Sequence, residues 1–462
     1  MIRQLAKDHP SVEERAAWGR SIREEVPRRS LGVWEPPSDW RDPVDILTTQ
    51  NVSRVQVLVP VRHERMLASP FTFYRGSAAI MAADLATTPS TGINAQICGD
   101  AHVANFGVFG SPERALVFDV NDFDETHPGP WEWDVKRLAA SAVLLARDRG
   151  WEVDTQGLLA QVVGASYRLA MADFAAKGRL EVWYSRMTDE DILALGRTEA
   201  ARADLARQAA KARRNDVRRA VTKFTEVHNG KRRFIHQPPI IMGLDETFPA
   251  HLSHSVRGEI INLFAEYLES LPLSLRHLVG GYELVDVALK VVGVGSVGTR
   301  CFVALAEGRD DDDLFIFQVK EAQESVVARF TDPIHYENQG QRVVAGQYLM
   351  QAATDQFLGW GHALGVDYYL RQFRDMKGGA RLDRIDLPNA EGLMNLCAWT
   401  LARAHARSGD RIAISAYLGT GDRFDRAIRD FSTSYADQVE LDYELFREAG
   451  ESGRLPVSDL PL

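Results

Sequence analysis

Two short apolar strands of the sequence each run directly into a turn that is rich in carboxylates. The first strand, INAQIC, leads into GDAHVANFG, and the second, ALVFDV, leads into NDFDETHPGP. Short apolar runs bounded by Gly, Asn and Asp predict β-strands that end in turns. The two strand ends therefore carry five polar side chains that we expect to lie close together: Asp100, Asn105, Asp119, Asp122 and Asp124.

Carboxylate and amide oxygens in this order are typical of a site for phosphoryl transfer. That reaction needs a carboxylate to accept the proton of the attacking hydroxyl, and oxygen ligands to hold Mg²⁺ against the ATP phosphates. We predict Asp100 as the catalytic base and Asn105 and Asp122 as metal ligands. Asp119 and Asp124 are further candidate metal ligands. The alternative is that these are ordinary turn residues, because Asn, Asp and Gly gather at strand ends.

A glycine-rich segment, VVGVGSVGTRCFVAL, contains the spacing G-x-G-x-x-G at Gly293, Gly295 and Gly298. Glycine lets the backbone approach phosphates closely and tolerates positive φ in a tight turn. A dinucleotide-binding turn would require a helix after the glycines, whereas the strand-like CFVAL follows here. The pattern favours a kinase type of nucleotide loop, in which Ser296 also contacts the nucleotide.

Lys320 ends the third strand of this β-rich region, in FQVKEA. Protein kinases carry at this place the lysine that pairs with the α- and β-phosphates of ATP, so Lys320 is predicted to be catalytic and nucleotide-binding. A solvated strand lysine is the alternative. The helix expected to supply its glutamate partner, NQGQRVVAGQYLMQAA, contains no glutamate. Three nearby residues remain candidates: Glu321, Glu324 and Glu337.

Length, charge and cysteine content limit the classes of protein that fit. A chain of 462 residues exceeds the size at which a single core stops growing, about 250–300 residues, and predicts two or more lobes. A net charge of −10 argues against a nucleic-acid binder, although ARRNDVRRAVTKF and NGKRRF form a locally basic stretch. Three widely spaced cysteines indicate no disulfide framework. No signal-peptide pattern or long apolar run is found, so we expect a cytoplasmic protein without membrane contact.

The alternation of helical and strand patterns predicts an α+β, bilobal fold with a large helical lobe and a smaller antiparallel β lobe. Helices are expected over 46–85 around the interruption ASPFTFYRGS, from the WDVKRLAAS segment to about 220, and over 252–271, 338–358 and 390–407. We divide the chain into an N-terminal arm (1–45), a catalytic region (46–283) and a β-rich nucleotide lobe (284–372). The C-terminal helices (373–462) return to the catalytic region.

The block GDAHVANFG, VFDVNDFDE and GPWEWDVKRLAAS resembles the motifs of aminoglycoside phosphotransferases and choline kinases, over about forty residues. The resemblance implies that Asp100 is the base, that Asn105 and Asp122 bind metal, and that Asp134 braces the catalytic loop. His102 is expected to orient the site rather than bind metal. In those families the glycine-rich loop precedes this block, whereas here it follows by nearly two hundred residues, so the resemblance implies a circularly permuted kinase-like fold.

Over nearly its whole length the chain also resembles a bacterial family of unknown function, family 2252 of the domains of unknown function. The motifs that carry this resemblance are CGDAHVANFG, NDFDE, QVKEA, RQFRDMKG and ARAHARSGD. It suggests a place at the hinge between lobes or near the nucleotide for Arg371, Gln372, Arg374 and Lys377, with a solvated edge strand as the alternative. Arg371 is our candidate nucleotide ligand among them. The segment around His405 resembles the helix that precedes the catalytic loop in small-molecule kinases, and a core or capping histidine is the alternative.

Together these features predict an ATP- and Mg²⁺-dependent phosphotransferase that acts on a hydroxyl or amine acceptor. Nucleotidyl (AMP) transfer with the same residues is one alternative, and it would release pyrophosphate rather than ADP. A non-catalytic nucleotide-binding regulatory protein is the other, suggested by the missing helix glutamate.

Overall fold

The computed structural model describes residues 10–37, 42–194, 199–215, 217–291, 293, 295–310, 312–373 and 376–458. The chain is an α+β protein with antiparallel sheets, as the sequence predicts. Among the described helices, none combines the length and the apolar character that a membrane span requires. The cysteines Cys98, Cys301 and Cys397 are buried and free.

Short helices dominate the N-terminal region: α1 (Val12–Glu25), α2 (Pro43–Asn51), α3 (Val59–Met66), α4 (Pro70–Gly76) and α5 (Ala78–Leu85). Helix α1 packs along the helix Arg411–Leu418, which comes near the other end of the described chain. The interruption ASPFTFYRGS was expected to be a turn, but most of it is α4. The side chain of Ser69 caps this helix and Pro70 occupies its first turn, and both features favour helix initiation.

The acidic turns lie among four short strands: β1 (Asn94–Ile97), β2 (Phe106–Gly110), β3 (Leu116–Val120) and β4 (His127–Pro130). Strand β1 pairs with β4 and β2 pairs with β3, in both cases antiparallel. The two strands predicted from INAQIC and ALVFDV are confirmed as β1 and β3. Strand β2 was not predicted, because its sequence FGVFG has two glycines and too few residues to show a strand pattern.

The middle of the chain is mainly helical, as predicted: α6 (Trp131–Asp148), α7 (Val153–Ala176), α8 (Arg179–Tyr184), α9 (Asp189–Ala194), α10 (Glu199–Arg213) and α11 (Val217–Phe224), with the short strand β5 (Met187–Thr188) beside β3. Helix α6 is buried along almost its whole length, on every side. A helix without an exposed polar face must be surrounded by other elements, so α6 forms the centre of the helical region.

A β-rich region follows, made of β6 (Thr225–His228), β7 (Lys231–Phe234), β8 (Ile241–Gly243), α12 (Leu244–Thr247), α13 (Ala250–Ser270), α14 (Leu273–Val279), β9 (Glu283–Lys290), β10 (Cys301–Glu307), β11 (Leu314–Ala322), α15 (Gln339–Met350), β12 (Gly359–Ala363) and β13 (Val366–Gln372). Within the described residues, one antiparallel sheet has the order β12-β13-β11-β10-β9-β8. The predicted succession of strand, glycine turn, strand, hairpin and strand is confirmed. The sheet extends upstream of residue 284, where the sequence division placed the start of the β-rich lobe, because β8 belongs to it. Helix α13 also packs against β12 of this sheet.

Three C-terminal helices return to the helical region: α16 (Leu387–Ser408), α17 (Arg411–Leu418) and α18 (Arg423–Glu451). Helices α16 and α18 pack against α6 and α7. One large cluster of buried apolar side chains fills this helical region together with β1, and a second lies between α13 and the six-stranded sheet. The molecule therefore has two main hydrophobic cores among the described residues.

Two carboxylates are buried together where α5 meets α18. The hydroxyl of Tyr435 donates to Asp84 Oδ2 at 2.7 Å, and Gln438 Nε2 donates to Asp442 Oδ1 at 2.8 Å. Burial raises the pKa of Asp84 to about 6, and burial together with the charge of Asp84 raises the pKa of Asp442 to about 7. At these two carboxyls the folded state therefore binds more protons than the unfolded state between about pH 4 and 7. Their contribution to the free energy of unfolding is expected to fall as the pH rises through this window.

An Asp442→Asn variant tests this assignment, because the amide keeps the shape of the side chain and removes the buried charge. We expect the variant to be more stable than the wild type by about 1–3 kcal/mol near pH 8, with the gain lost near pH 5, where the wild-type carboxyl is already protonated. Urea unfolding at both pH values measures the difference. Asp437→Asn, at an exposed carboxylate on the same helix, is the matched control. An equal effect of Asp442→Asn at both pH values would contradict the assignment.

Candidate functional site

The segment after β1 is held by the first turn of α6. Asp134 accepts hydrogen bonds from the backbone N–H of Cys98 at 2.7 Å and of Gly99 at 3.0 Å. Gly99 has φ +74, and a Cβ there would collide with the Glu125 carbonyl oxygen, so only glycine fits. His405 is fully buried, with Nε2 3.3 Å from Asp134 Oδ2, which makes it a core histidine behind this brace. Asp134 therefore holds the backbone of the segment after β1 in place.

Asp100 follows at once and keeps about a fifth of its side chain exposed. Arg137 Nε donates to its Oδ1 at 2.6 Å, and the same guanidinium lies over the ring of Tyr74. Burial raises the pKa of Asp100 to about 7, against the opposing effect of Arg137, and the charge of Asp122 adds to the rise. A carboxyl group that titrates near neutral pH is suited to accept a proton.

His102 lies beside Asp100 and is buried, with Nε2 3.7 Å from Asp100 Oδ2. Its Nδ1 is buried without a hydrogen-bond partner in the described part of the chain. Burial, with the charges of Arg75 and Arg137, lowers the pKa of His102 well below its ordinary value, so the ring is neutral. These contacts agree with an orienting role and give no set of neighbours for a metal ion.

Of the predicted metal ligands, Asn105, Asp122 and Asp124 line the same pocket. Asn105 Nδ2 donates to the Asp100 carbonyl oxygen at 2.8 Å, so its amide oxygen is the atom left to bind a ligand. About a third of the Asp122 side chain is exposed. No group of three or more His, Cys, Asp or Glu side chains in the described residues could hold a metal alone. This donor set fits Mg²⁺, which usually takes one or two protein ligands and completes its shell with water and phosphate oxygens.

Asp119 does not reach the pocket, although the sequence made it a candidate metal ligand. Its Oδ1 accepts from Arg403 Nη2 at 2.6 Å, and its Oδ2 accepts from the Ala352 backbone N–H at 3.1 Å. Both side chains of this ion pair are almost completely buried. Asp119 is therefore a structural residue that joins β3 to α16.

Asp124 is the carboxylate that Lys320 binds. The ammonium group of Lys320 forms an ion pair with Asp124 and lies 3.7 Å from Asp122 Oδ1. The hydroxyls of Tyr369 and Ser296 also donate to Asp124, at 2.9 and 3.2 Å. With its oxygens engaged in this way, Asp124 is a weaker candidate than Asp122 for metal binding.

Lys320 is almost completely buried on β11. Burial alone would lower its pKa, but Asp122 and Asp124 raise it well above the ordinary value, so the side chain is charged. The three glutamates considered from the sequence are not its partners among the described contacts, and Glu321 instead binds the backbone N–H and guanidinium of Arg300. The carboxylates of the NDFDE turn occupy the place where a helix glutamate was expected.

The glycine-rich turn between β9 and β10 lines the same pocket. Gly293, Gly295 and Ser296 line it, whereas Val292 and Val294 lie outside the described residues. Gly298 has φ +91 and packs against the side chain of Arg54, which explains why a glycine stands there. The N-terminal helical region holds this turn by two hydrogen bonds. The Val55 N–H donates to the Gly298 carbonyl oxygen at 2.7 Å, and Arg54 Nη1 donates to the Val297 carbonyl oxygen at 2.6 Å.

The pocket encloses about 830 Å³ of space that is continuous with solvent. It is lined by Gln50, Arg54, Arg75, Gly76, Ala78, Asp100, His102, Asn105, Asp122, Asp124, Glu125, Gly293, Gly295, Ser296, Thr299, Glu321 and Gln323. Two arginines of the N-terminal helical region, Arg54 and Arg75, were not found from the sequence. The one signal for Arg75 is that it is a single cation within the apolar run FTFYRGSAAIMAADL.

Arg371 lies next to the acidic turn rather than in the lining of the pocket. Its Nε donates to Gln318 Oε1 at 2.9 Å, and its Nη1 is 3.4 Å from the Asn121 carbonyl oxygen. Strand β13 lies between β11 and β12, so the alternative of an edge strand is wrong. Burial and the charge of Arg371 lower the pKa of Lys377 to about 7. Arg374 lies outside the described residues.

The fold and the site define an α+β protein in which a carboxylate-bearing turn and a distant glycine-rich turn face one pocket. A family model described as "Uncharacterized protein conserved in bacteria (DUF2252)" matches residues 54–449. The chain belongs to this bacterial family, as the sequence motifs indicated. No curated protein and no solved structure matches the chain.

Proposed function

We propose that this protein is an ATP- and Mg²⁺-dependent phosphotransferase that acts on a hydroxyl or amine acceptor. The observation that supports the proposal is the meeting of two predicted motifs in one pocket. Asp100, Asn105 and Asp122 line the same space as Gly293 and Ser296, although nearly two hundred residues separate the two segments. A shared pocket is what phosphoryl transfer requires, since its catalysis depends mainly on positioning and electrostatic stabilisation.

Each residue has a role that its contacts support. Asp100 accepts the proton of the acceptor hydroxyl, whose oxygen forms the new bond to the γ-phosphorus while the bond to the β–γ bridging oxygen breaks and ADP leaves. Asn105 and Asp122 would hold Mg²⁺, which neutralises charge on the phosphates. Backbone groups of the glycine-rich turn cover the phosphates, and Lys320 supplies a positive charge at the acidic turn.

We further propose that the fold is kinase-like with a circularly permuted chain order. The support is the antiparallel sheet that carries the glycine-rich turn and Lys320, together with a buried aspartate, Asp134, that braces the catalytic segment. Helix α15 packs against β13 and β11 and supplies Arg342, which donates to the Asp124 carbonyl oxygen at 2.8 Å. A circularly permuted chain can form the same fold when the ends that are joined and the ends that are opened lie at the surface.

Nucleotide binding is the first consequence to test. A ligand that binds only the folded state stabilises it by about 2.7 kcal/mol at 100 times its Kd, so ATP with Mg²⁺ should raise the melting temperature of the wild type. We expect Asp122→Asn to lose the Mg²⁺-dependent part of this rise and Lys320→Ala to lose most of it. Asp437→Asn, at an exposed carboxylate on α18, is the control and should show the same rise in melting temperature as the wild type.

The reaction product then separates the three candidate functions. Release of ADP supports phosphoryl transfer, and release of pyrophosphate would establish nucleotidyl transfer instead. Nucleotide binding without either product, across a pool of hydroxyl and amine compounds, would indicate a regulatory protein. Absence of any ATP-dependent shift in the wild type would overturn the proposal.

A further inference from the structure

Among the described residues, Arg75 faces the pocket beside the proposed base without an ion-pair partner. It lies in the last turn of helix α4 and is mostly buried, and its Nε is buried without a hydrogen bond. Among carboxylates, it is Asp100 whose charge acts on it, and burial lowers the pKa of Arg75. A buried cation is costly unless an anion or several hydrogen bonds compensate it.

The carboxylates around the pocket form no ion pair with Arg75 among the described contacts, and other groups bind most of them. Asp100 is paired with Arg137 and Asp124 with Lys320. Of the two glutamates in the lining, Glu321 is paired with Arg300, and Glu125 Oε2 accepts from the Val326 backbone N–H at 2.8 Å. Within the described residues, the guanidinium group of Arg75 therefore lacks an ion-pair partner, and a ligand can supply the anion.

The neighbours of Arg75 favour the acceptor, rather than the nucleotide, as the ligand that it binds. The proposed nucleotide-binding groups are the backbone of the glycine-rich turn and Lys320, and the ammonium of Lys320 faces Asp122 and Asp124. Arg75 instead acts electrostatically on Asp100 and on His102, where the attacking hydroxyl would stand. Its own carbonyl oxygen is 3.1 Å from the position that a Cβ on Gly295 would take, so the turn runs directly against it.

We propose that Arg75 binds an anionic group of the acceptor, so that the substrate is a hydroxyl or amine compound that also carries a carboxylate or a phosphate. This inference rests on the proposed phosphotransferase function. The planar guanidinium recognises carboxylate and phosphate through paired hydrogen bonds, which would orient the acceptor hydroxyl toward Asp100. Arg54 is 7% exposed and is tied to the Val297 carbonyl oxygen, so it shapes the wall rather than replacing Arg75.

The test measures binding of small acceptor-like probes without nucleotide, by titration calorimetry on the full chain. The probes are D-glycerate and glycerol 3-phosphate, with uncharged glycerol for comparison. We expect at least one anion to bind the wild type, and Arg75→Gln to weaken that binding about tenfold or more, since a charge-assisted hydrogen bond contributes about 1.5–3 kcal/mol. Which anion binds distinguishes a carboxylate from a phosphate. Arg20→Gln, at an exposed arginine on α1, is the charge-matched control and should bind like the wild type.

A parallel thermal shift with ATP and Mg²⁺ separates this inference from the proposed function. Retention of the shift in Arg75→Gln, with loss of anion binding, supports an acceptor site. Loss of the shift with unchanged anion binding would assign Arg75 to the nucleotide and overturn the inference. No anion binding to the wild type would overturn it as well. Anion binding by a protein that shows no nucleotide shift would leave the anion site standing and reject the phosphotransferase.

Discussion

Asp100→Asn should lower the rate of phosphoryl transfer by about 10²- to 10⁴-fold and leave ATP binding intact, because an amide cannot accept the proton of the attacking hydroxyl. The substitution keeps the size of the side chain and an oxygen that can accept from Arg137. We therefore expect a folded protein whose ATP- and Mg²⁺-dependent thermal shift resembles that of the wild type. ADP release, measured with a pool of hydroxyl and amine compounds that includes anionic ones, gives the rate.

The pH dependence provides an independent check on the same residue. Burial raises the pKa of Asp100 to about 7 in the unliganded protein, and only the ionised form can accept a proton. The value of kcat/KM should therefore increase as the pH rises through about 7, and Asp100→Asn should lose this limb. Wild-type activity that stays constant from about pH 5 to 8, or an Asp100→Asn variant as active as the wild type, would rule out Asp100 as the base.

Arg403→Met should lower the free energy of unfolding by about 3–5 kcal/mol, because it leaves the Asp119 carboxylate buried without its cation. The two side chains are 1% and 2% exposed, and the Arg403 Nη2 to Asp119 Oδ1 distance is 2.6 Å. Burial already raises the pKa of Asp119 against the effect of Arg403, and removal of the guanidinium would raise it further. Urea unfolding measured at neutral pH gives the loss.

The double variant Arg403→Met, Asp119→Asn is the control for this pair. The amide removes the buried charge and keeps one oxygen, which can accept from either the Val120 or the Ala352 backbone N–H, so we expect it to recover part of the stability. A ligand role for Asp119 would give a different result, in which the single variants alter the Mg²⁺ dependence of ATP binding and leave stability nearly unchanged.

The sequence was most informative where a residue type is demanded locally. Gly99 takes a positive φ in its turn, Asn105 donates to the carbonyl oxygen of Asp100 five residues before it, and the strands around Lys320 have clear patterns. Asp119 and Asp122 could not be separated in this way, because every residue of β3 is buried. With no alternation between a buried and an exposed face, the strand gives no sign that Asp119 points to α16.

Long-range pairings were beyond the sequence for a different reason. Arg54 and Arg75 reach the pocket because the N-terminal helices dock on the glycine-rich turn, more than two hundred residues away. The partner of Lys320 was sought in the following helix and nearby glutamates, whereas the structure provides the NDFDE turn on the other side of the site. Neither contact can be recognised in the local sequence, because helix periodicity indicates which residues are buried and not which residues they contact.

The complete burial of α6 has a consequence for synthesis of the chain on the ribosome. Helix α6 is made well before α16 and α18, which cover it and follow it by more than two hundred residues. Until then its apolar surface stays open, and contacts of such high sequence separation form slowly. Nascent chains that stop before α18 should therefore aggregate or recruit chaperones. The chaperones would bind the apolar surface of α6 that is still exposed.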